Sequence, residues 1–321
     1  MKQTAENIHL LWVCLPKEAG LLSKQSDEVK TKIAPSFILM LIASRLANIV
    51  WFEWTGSVPD GLFWAKLCLF AAAAWYFYYT KKNLYLGRLA MVLALVVSVE
   101  KGAAVLESLP VWRSFFDYGT FYGAFASPVL LKLCAALIVV LFLRALFGSF
   151  REVFLCKGDL SVFAEPIPFL NIKKNQIRWG RLALISGLLI SLGTIVLTMV
   201  TVTGFGALAG ADRLVAFFPA VVLLALINSF SEGVIFRSGV LGPLHRVLPK
   251  KELLYLGAAF FGIAHYYGAP SGVLGVFMSG VLGWFLCRSM YETSGFFSSW
   301  LIHFLQDVAI FSTFVLLIDF G

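Results

Sequence analysis

Apolar residues run along this chain in blocks of about 20, broken by short clusters of charged and turn-forming residues. A block of that length lets an α-helix cross a hydrocarbon core ~30 Å thick at ~1.5 Å per residue. Nine blocks qualify, near residues 35–54, 61–80, 86–106, 122–147, 181–203, 214–243, 252–268, 271–288 and 296–318. The pattern predicts an all-α, polytopic integral membrane protein with about nine transmembrane helices. Glu100 and Lys101 interrupt the third block. The earlier apolar run Leu10–Leu15 is too short for a signal-peptide core, so the first span is expected to serve as an uncleaved anchor.

The polar breaks set the organisation. Residues 148–180 contain Glu165-Pro166-Ile167-Pro168 and the pair Lys173-Lys174, and they separate four spans from five. The expected division is a cytoplasmic N-terminal segment (1–34), a four-span membrane module (35–147), a cytoplasmic linker (148–180) and a five-span core (181–318). Basic residues test the alternation: 20 fall on the side that carries the N-terminus and 4 on the other. By the positive-inside rule this puts the N-terminus in the cytoplasm and the C-terminus outside.

Composition agrees. The chain is 60% hydrophobic and only 14% charged, against about 25% charged in soluble domains. The net charge of +8 lies in loops between spans, where topology accounts for it, and nucleic acid is not an expected partner. The five cysteines are scattered without a CxxC pair, and no disulfide is expected. Arg45, midway along the first span, is read as pairing with Glu53 or another helix. Lys132 is read as snorkelling to the outer face, and His245 and His9 as solvated.

Chemistry concentrates in the last third. Glu232, His265, His303 and Asp307 lie within apolar spans, where an ionisable group costs about 2.5–3.5 kcal/mol at a helix centre. Three spans contribute them, and convergence on one polar site would offset the penalty. Counted from the cytoplasmic ends, Glu232 is ~18 Å deep, His265 ~20 Å, and His303 and Asp307 ~10 and ~17 Å, so a shared site is feasible. His303 and Asp307 stand four residues apart and share a helix face, as do Phe261 and His265. Arg237 follows Glu232 by five residues and is placed to bind a carboxylate or to snorkel. A poorly solvated carboxylate can act as general base toward water. Histidine can share that work, bind a metal or stabilise an oxyanion. Glu232, His265 and His303 also suit a divalent metal such as Zn, although no HExxH motif is present.

The order Glu232-x4-Arg237, Phe261-x3-His265 and His303-x3-Asp307 resembles the CPBP (CAAX protease and bacteriocin-processing) family of intramembrane endopeptidases. Its motifs are Glu-Glu-x-x-x-Arg, Phe-x-x-x-His and His-x-x-x-Asn or Asp. The resemblance covers roughly residues 181–318. It implies cleavage of a peptide bond near the cytoplasmic membrane face, with a membrane protein or lipidated peptide as substrate and a bacterial inner (plasma) membrane as location. Glu232 then stands at the water-activating first glutamate, and Gly233 replaces the second. Two other functions stay open on sequence alone. Buried Glu, His and Asp also build proton relays, which suits a proton-coupled transporter, although no repeated half is visible. Gly233 suits a non-catalytic immunity or scaffold protein.

Overall fold

The computed structural model describes residues 26–80, 83–200, 211–268 and 270–317. Residues 1–25, with His9 and Cys14 and most of the expected N-terminal segment, lie outside that range. Helices form from the apolar blocks in order: α1 (Ser26–Ala43), α2 (Leu46–Thr55), α3 (Asp60–Tyr79), α4 (Leu84–Ser108), α5 (Pro110–Phe115) and α6 (Ser127–Phe147). After the linker come α7 (Trp179–Thr198), α8 (Ala211–Glu232), a π-helical segment (Gly233–Ser238), α9 (Gly239–Leu244), α10 (Lys250–Ala264), α11 (Gly272–Glu292) and α12 (Phe297–Leu317). No β-strand occurs among the described residues. The chain is an all-α polytopic membrane protein.

Seven of these helices are long and apolar enough to cross a membrane, or eight when the bent pair α1–α2 counts as one span. The expected nine differs at two places. The first block breaks at Ser44–Arg45 with a bend of 46°. There the Ser44 hydroxyl accepts from the Leu46 N–H at 3.2 Å, and Lys66 of α3 donates to the Ser44 carbonyl at 2.9 Å and to Asn48 at 2.7 Å. Backbone groups freed by the bend are thus satisfied from a neighbouring helix. The seventh block yields only the 15 residues of α10, because the chain turns at His265 and ends the helix there. Arg45 meets Glu100 of another helix, α4, at 3.6 Å, the second of its two expected pairings.

Packing brings the two halves together. A single cluster of buried apolar residues runs from Leu89 and Leu93 of α4 and Val139 and Leu143 of α6 to Val234, Ile235, Val240 and Phe261. Helix α12 packs on α7 and α8, α10 on α11, and α6 on α8. Gly283 lets α11 approach α10, since a Cβ there would stand 2.9 Å from Phe261 Cβ.

The linker is folded onto one end of the bundle. Its pivot is Glu292, which accepts from Lys250 Nζ and Arg288 Nε at 2.7 Å, from Trp179 Nε1 at 2.7 Å and from the Glu165 backbone N–H at 3.0 Å. Main-chain bonds from Asp159 to Thr293 and from Phe296 to Cys156 close the same junction. Cys156 is disulfide-bonded, against the expectation of none, while Cys68, Cys134 and Cys287 are free.

Candidate active site

Glu232 is the last residue of α8, and the helix widens into a π-turn directly after it. In an α-helix residues five apart point ~140° away from each other. A π-turn bonds i to i+5 and brings them toward one side, so Glu232 and Arg237 both face the bundle interior. Their side chains do not meet. Arg237 is fully buried and does not snorkel. Its Nη2 lies 3.3 Å from His303 Nδ1 and 3.5 Å from the Ser229 carbonyl. Gly233 sits under the ring of Phe296: a Cβ there would stand 2.5 Å from Phe296 Cζ and 2.8 Å from Arg237 Nη2. The volume available to a side chain at 233 is filled by Phe296, the residue just before α12, and by the Arg237 head.

Three helices converge on the Glu232 carboxylate. His265, at the end of α10, brings Nε2 to 3.9 Å from Oε2, and His303 of α12 brings Nε2 to 3.6 Å from the same oxygen. Asp307 Oδ1 lies 3.5 Å from His303 Nε2. Phe261 backs both imidazoles, with centroid separations of 4.3 Å to His265 and 5.7 Å to His303, and the Arg237 guanidinium lies 5.9 Å from the same ring. The structure therefore brings Glu232, His265, His303, Asp307, Arg237 and Phe261 into one cluster.

Two further residues complete it. Lys132 of α6 donates to Glu232 Oε1 at 2.6 Å and to Asn228 Oδ1 at 2.9 Å. Asn228 in turn donates to Asp307 Oδ2 at 2.9 Å. A closed ring results: Glu232, Lys132, Asn228, Asp307, His303 and back to Glu232. Lys132 thus turns inward instead of snorkelling outward. Asn228 precedes Glu232 by four residues, so helical spacing alone was enough to place it on the same face.

The second nitrogen of each imidazole fixes its tautomer. His265 Nδ1 is 2.8 Å from the Phe261 carbonyl, which only accepts, so Nδ1 carries the proton and Nε2 presents a lone pair. His303 Nδ1 faces a guanidinium, which only donates, so its Nε2 carries the proton. The two rings therefore offer Glu232 Oε2 opposite groups, one acceptor and one donor. Oε2 is buried without a hydrogen-bond partner among the described residues.

The option of a metal on Glu232, His265 and His303 does not fit this arrangement. Among the described residues no three His, Cys, Asp or Glu side chains are placed to hold an ion, and His303 Nε2, which carries the proton, offers a metal no lone pair. Beside the cluster, on the His265 side, an apolar groove of about 560 Å³ runs between α2 and the α10–α11 turn, lined by Ile49, Trp54, Ile263, Tyr266 and Val273 among others.

Compared with known proteins, residues 214–309 match the family model described as type II CAAX prenyl endopeptidase Rce1-like. No curated protein and no solved structure matches the chain. The matched segment contains Glu232, Arg237, Phe261, His265, His303 and Asp307, in the order of the three motifs. Residues 214–309 therefore carry an Rce1-like peptidase domain of the kind the CPBP motifs pointed to, and the match supports a membrane-embedded peptidase, an intramembrane endopeptidase in the general sense.

Proposed function

We propose that the protein hydrolyses a peptide bond near the cytoplasmic face of the membrane with a water activated by Glu232 and His265. The observation that carries this reading is the unpartnered Oε2 of Glu232, faced by Nε2 of both histidines at 3.9 and 3.6 Å. These separations are too long for direct hydrogen bonds. They suit one water, which would donate to the two acceptors, Oε2 and His265 Nε2, and accept from the His303 N–H. Attack of its oxygen on the scissile carbonyl carbon passes one proton to Glu232 and leaves an oxyanion. The His303 N–H is the donor that stabilises that charge. Glu232 then returns the proton to the departing amine nitrogen as the C–N bond breaks, giving a carboxylic acid and an amine, which together become a carboxylate and an ammonium in water.

The other members support these roles. Arg237 holds His303 in the donating tautomer, Asp307 orients the same ring, and Phe261 sets the planes of both imidazoles. The substrate class is a membrane protein or lipidated peptide. The proposed orientation has the N-terminus cytoplasmic and the C-terminus outside a bacterial inner membrane, as the distribution of basic residues favours.

The test is cleavage by full-length variants in proteoliposomes. Glu232→Ala and, separately, His265→Ala should each lower kcat by about 10²–10⁴, the contribution of a positioned acid–base group, while both proteins remain folded and inserted. Wild-type proteolysis by both variants would sink the mechanism. Proton or solute flux without any cleavage would favour a transporter.

A further inference from the structure

We infer that Lys132 is a positioning residue for the Glu232 carboxylate, and that α6 therefore supplies an indispensable part of the active site. The inference rests on the reading of Glu232 as the base. Lys132 lies outside the segment 214–309 that matches the peptidase family, in a part of the chain to which no chemistry is otherwise assigned.

Charge is the first argument. The Glu232 side chain is only 8% exposed, and an ionised carboxylate at such a position needs a cation or pays heavily for desolvation. Arg237 is the nearest basic residue in the motif, but its donors are turned to His303 and Ser229. Lys132 is the cation that reaches Glu232, at 2.6 Å.

Geometry is the second. A carboxylate rotating about its last torsion exchanges its two oxygens. Lys132 Nζ is itself fixed by Asn228 Oδ1 at 2.9 Å, and it pins Oε1. That leaves Oε2 as the oxygen presented to His265 and His303. A lysine tether thus selects which lone pairs face the water, while the base remains ionised and unprotonated between turnovers. The lysine head touches no reacting atom, so its effect is on the population of competent carboxylates.

Five full-length proteins in proteoliposomes test this: wild type, Lys132→Met, Lys132→Arg, Glu232→Gln and the double variant Lys132→Met/Glu232→Gln. Cleavage is followed on an internally quenched peptide ending in a farnesylated cysteine and three further residues. In parallel it is read from the membrane proteome of cells carrying each variant. Lys132→Met is expected to lose at least about tenfold in kcat with KM within about twofold, and Lys132→Arg to recover most of the loss. The double variant should melt at a higher temperature than Lys132→Met, because the unpaired carboxylate is gone. This comparison still decides if Lys132→Met is too unstable to assay. Wild-type kcat in Lys132→Met beside an inactive Glu232→Gln would overturn the inference alone. So would equal losses in the Met and Arg variants, or additive melting shifts in the double variant. Full activity in Glu232→Gln would instead remove the base assignment, and this inference with it.

Discussion

At the scale of single residues, the intramembrane ionisable groups were the legible part of the site. Glu232, His265, His303 and Asp307 stand out because each is expensive in an apolar span, and helical spacing pairs them. Lys132 was equally anomalous but not legible as a site residue, since a long aliphatic stem can carry its ammonium in either direction along a helix. Only the packing of α6 on α8 shows that it points inward. Gly233 was legible as a departure from the motif, and the structure gives its physical setting. Phe296 occupies the space a larger residue needs. Gly233→Glu should therefore destabilise the protein by overpacking, by about 1–3 kcal/mol. Thermal unfolding in detergent reads that loss, and pairing the change with Phe296→Ala should recover part of it. An unaltered melting temperature for Gly233→Glu alone would show that Phe296 yields freely.

At the scale of elements, block length predicted where helices form but not where they stop or bend. Helix α10 ends at Ala264, where His265 donates back to Phe261 and the turn formers Gly268, Pro270 and Gly272 follow. The bend between α1 and α2 has a similar origin in Ser44 and its partner Lys66. The stretch 148–180 reads as polar and loop-like in one dimension. Its docking by Glu292 depends on partners from α7, α10 and α11, far apart in sequence. The Glu292 and Arg288 side chains are nearly buried at 3% and 9% exposure, so removing the carboxylate strands cations without an anion. Glu292→Ala should cost about 3 kcal/mol and expose residues 148–178 to limited proteolysis. A variant as protease-resistant as wild type would show that main-chain bonds alone hold the linker.

At the scale of the whole molecule, stability should depend on pH through His245, which lies beyond the membrane-spanning helices at the linker end of the bundle. It is half-buried against Phe154, contrary to the solvated position expected for it. Its Nδ1–H donates to the carbonyls of Gly242 and Leu241 at 2.8 and 3.1 Å. Burial lowers its pKa below the ordinary 6.5, with the two backbone hydrogen bonds opposing that shift. The unfolded chain then takes up a proton at higher pH than the folded one, so stability is full above about pH 6.5 and falls as the pH drops through the lower folded value. Melting temperatures measured from pH 7.5 to 5 should show this decline, and His245→Gln should flatten it. A slope unchanged by the substitution would assign the dependence to other groups.

The ring that links Lys132, Asn228, Glu232, His303 and Asp307 also fixes an order in time. Its members arrive during synthesis as one early residue, two from the middle and two near the C-terminus. Lys132 enters its span 100 residues ahead of the carboxylate it serves, and α12 comes last. The ring is therefore incomplete until α12, which carries His303 and Asp307, is in place, and on the proposed mechanism cleavage has to wait for that span.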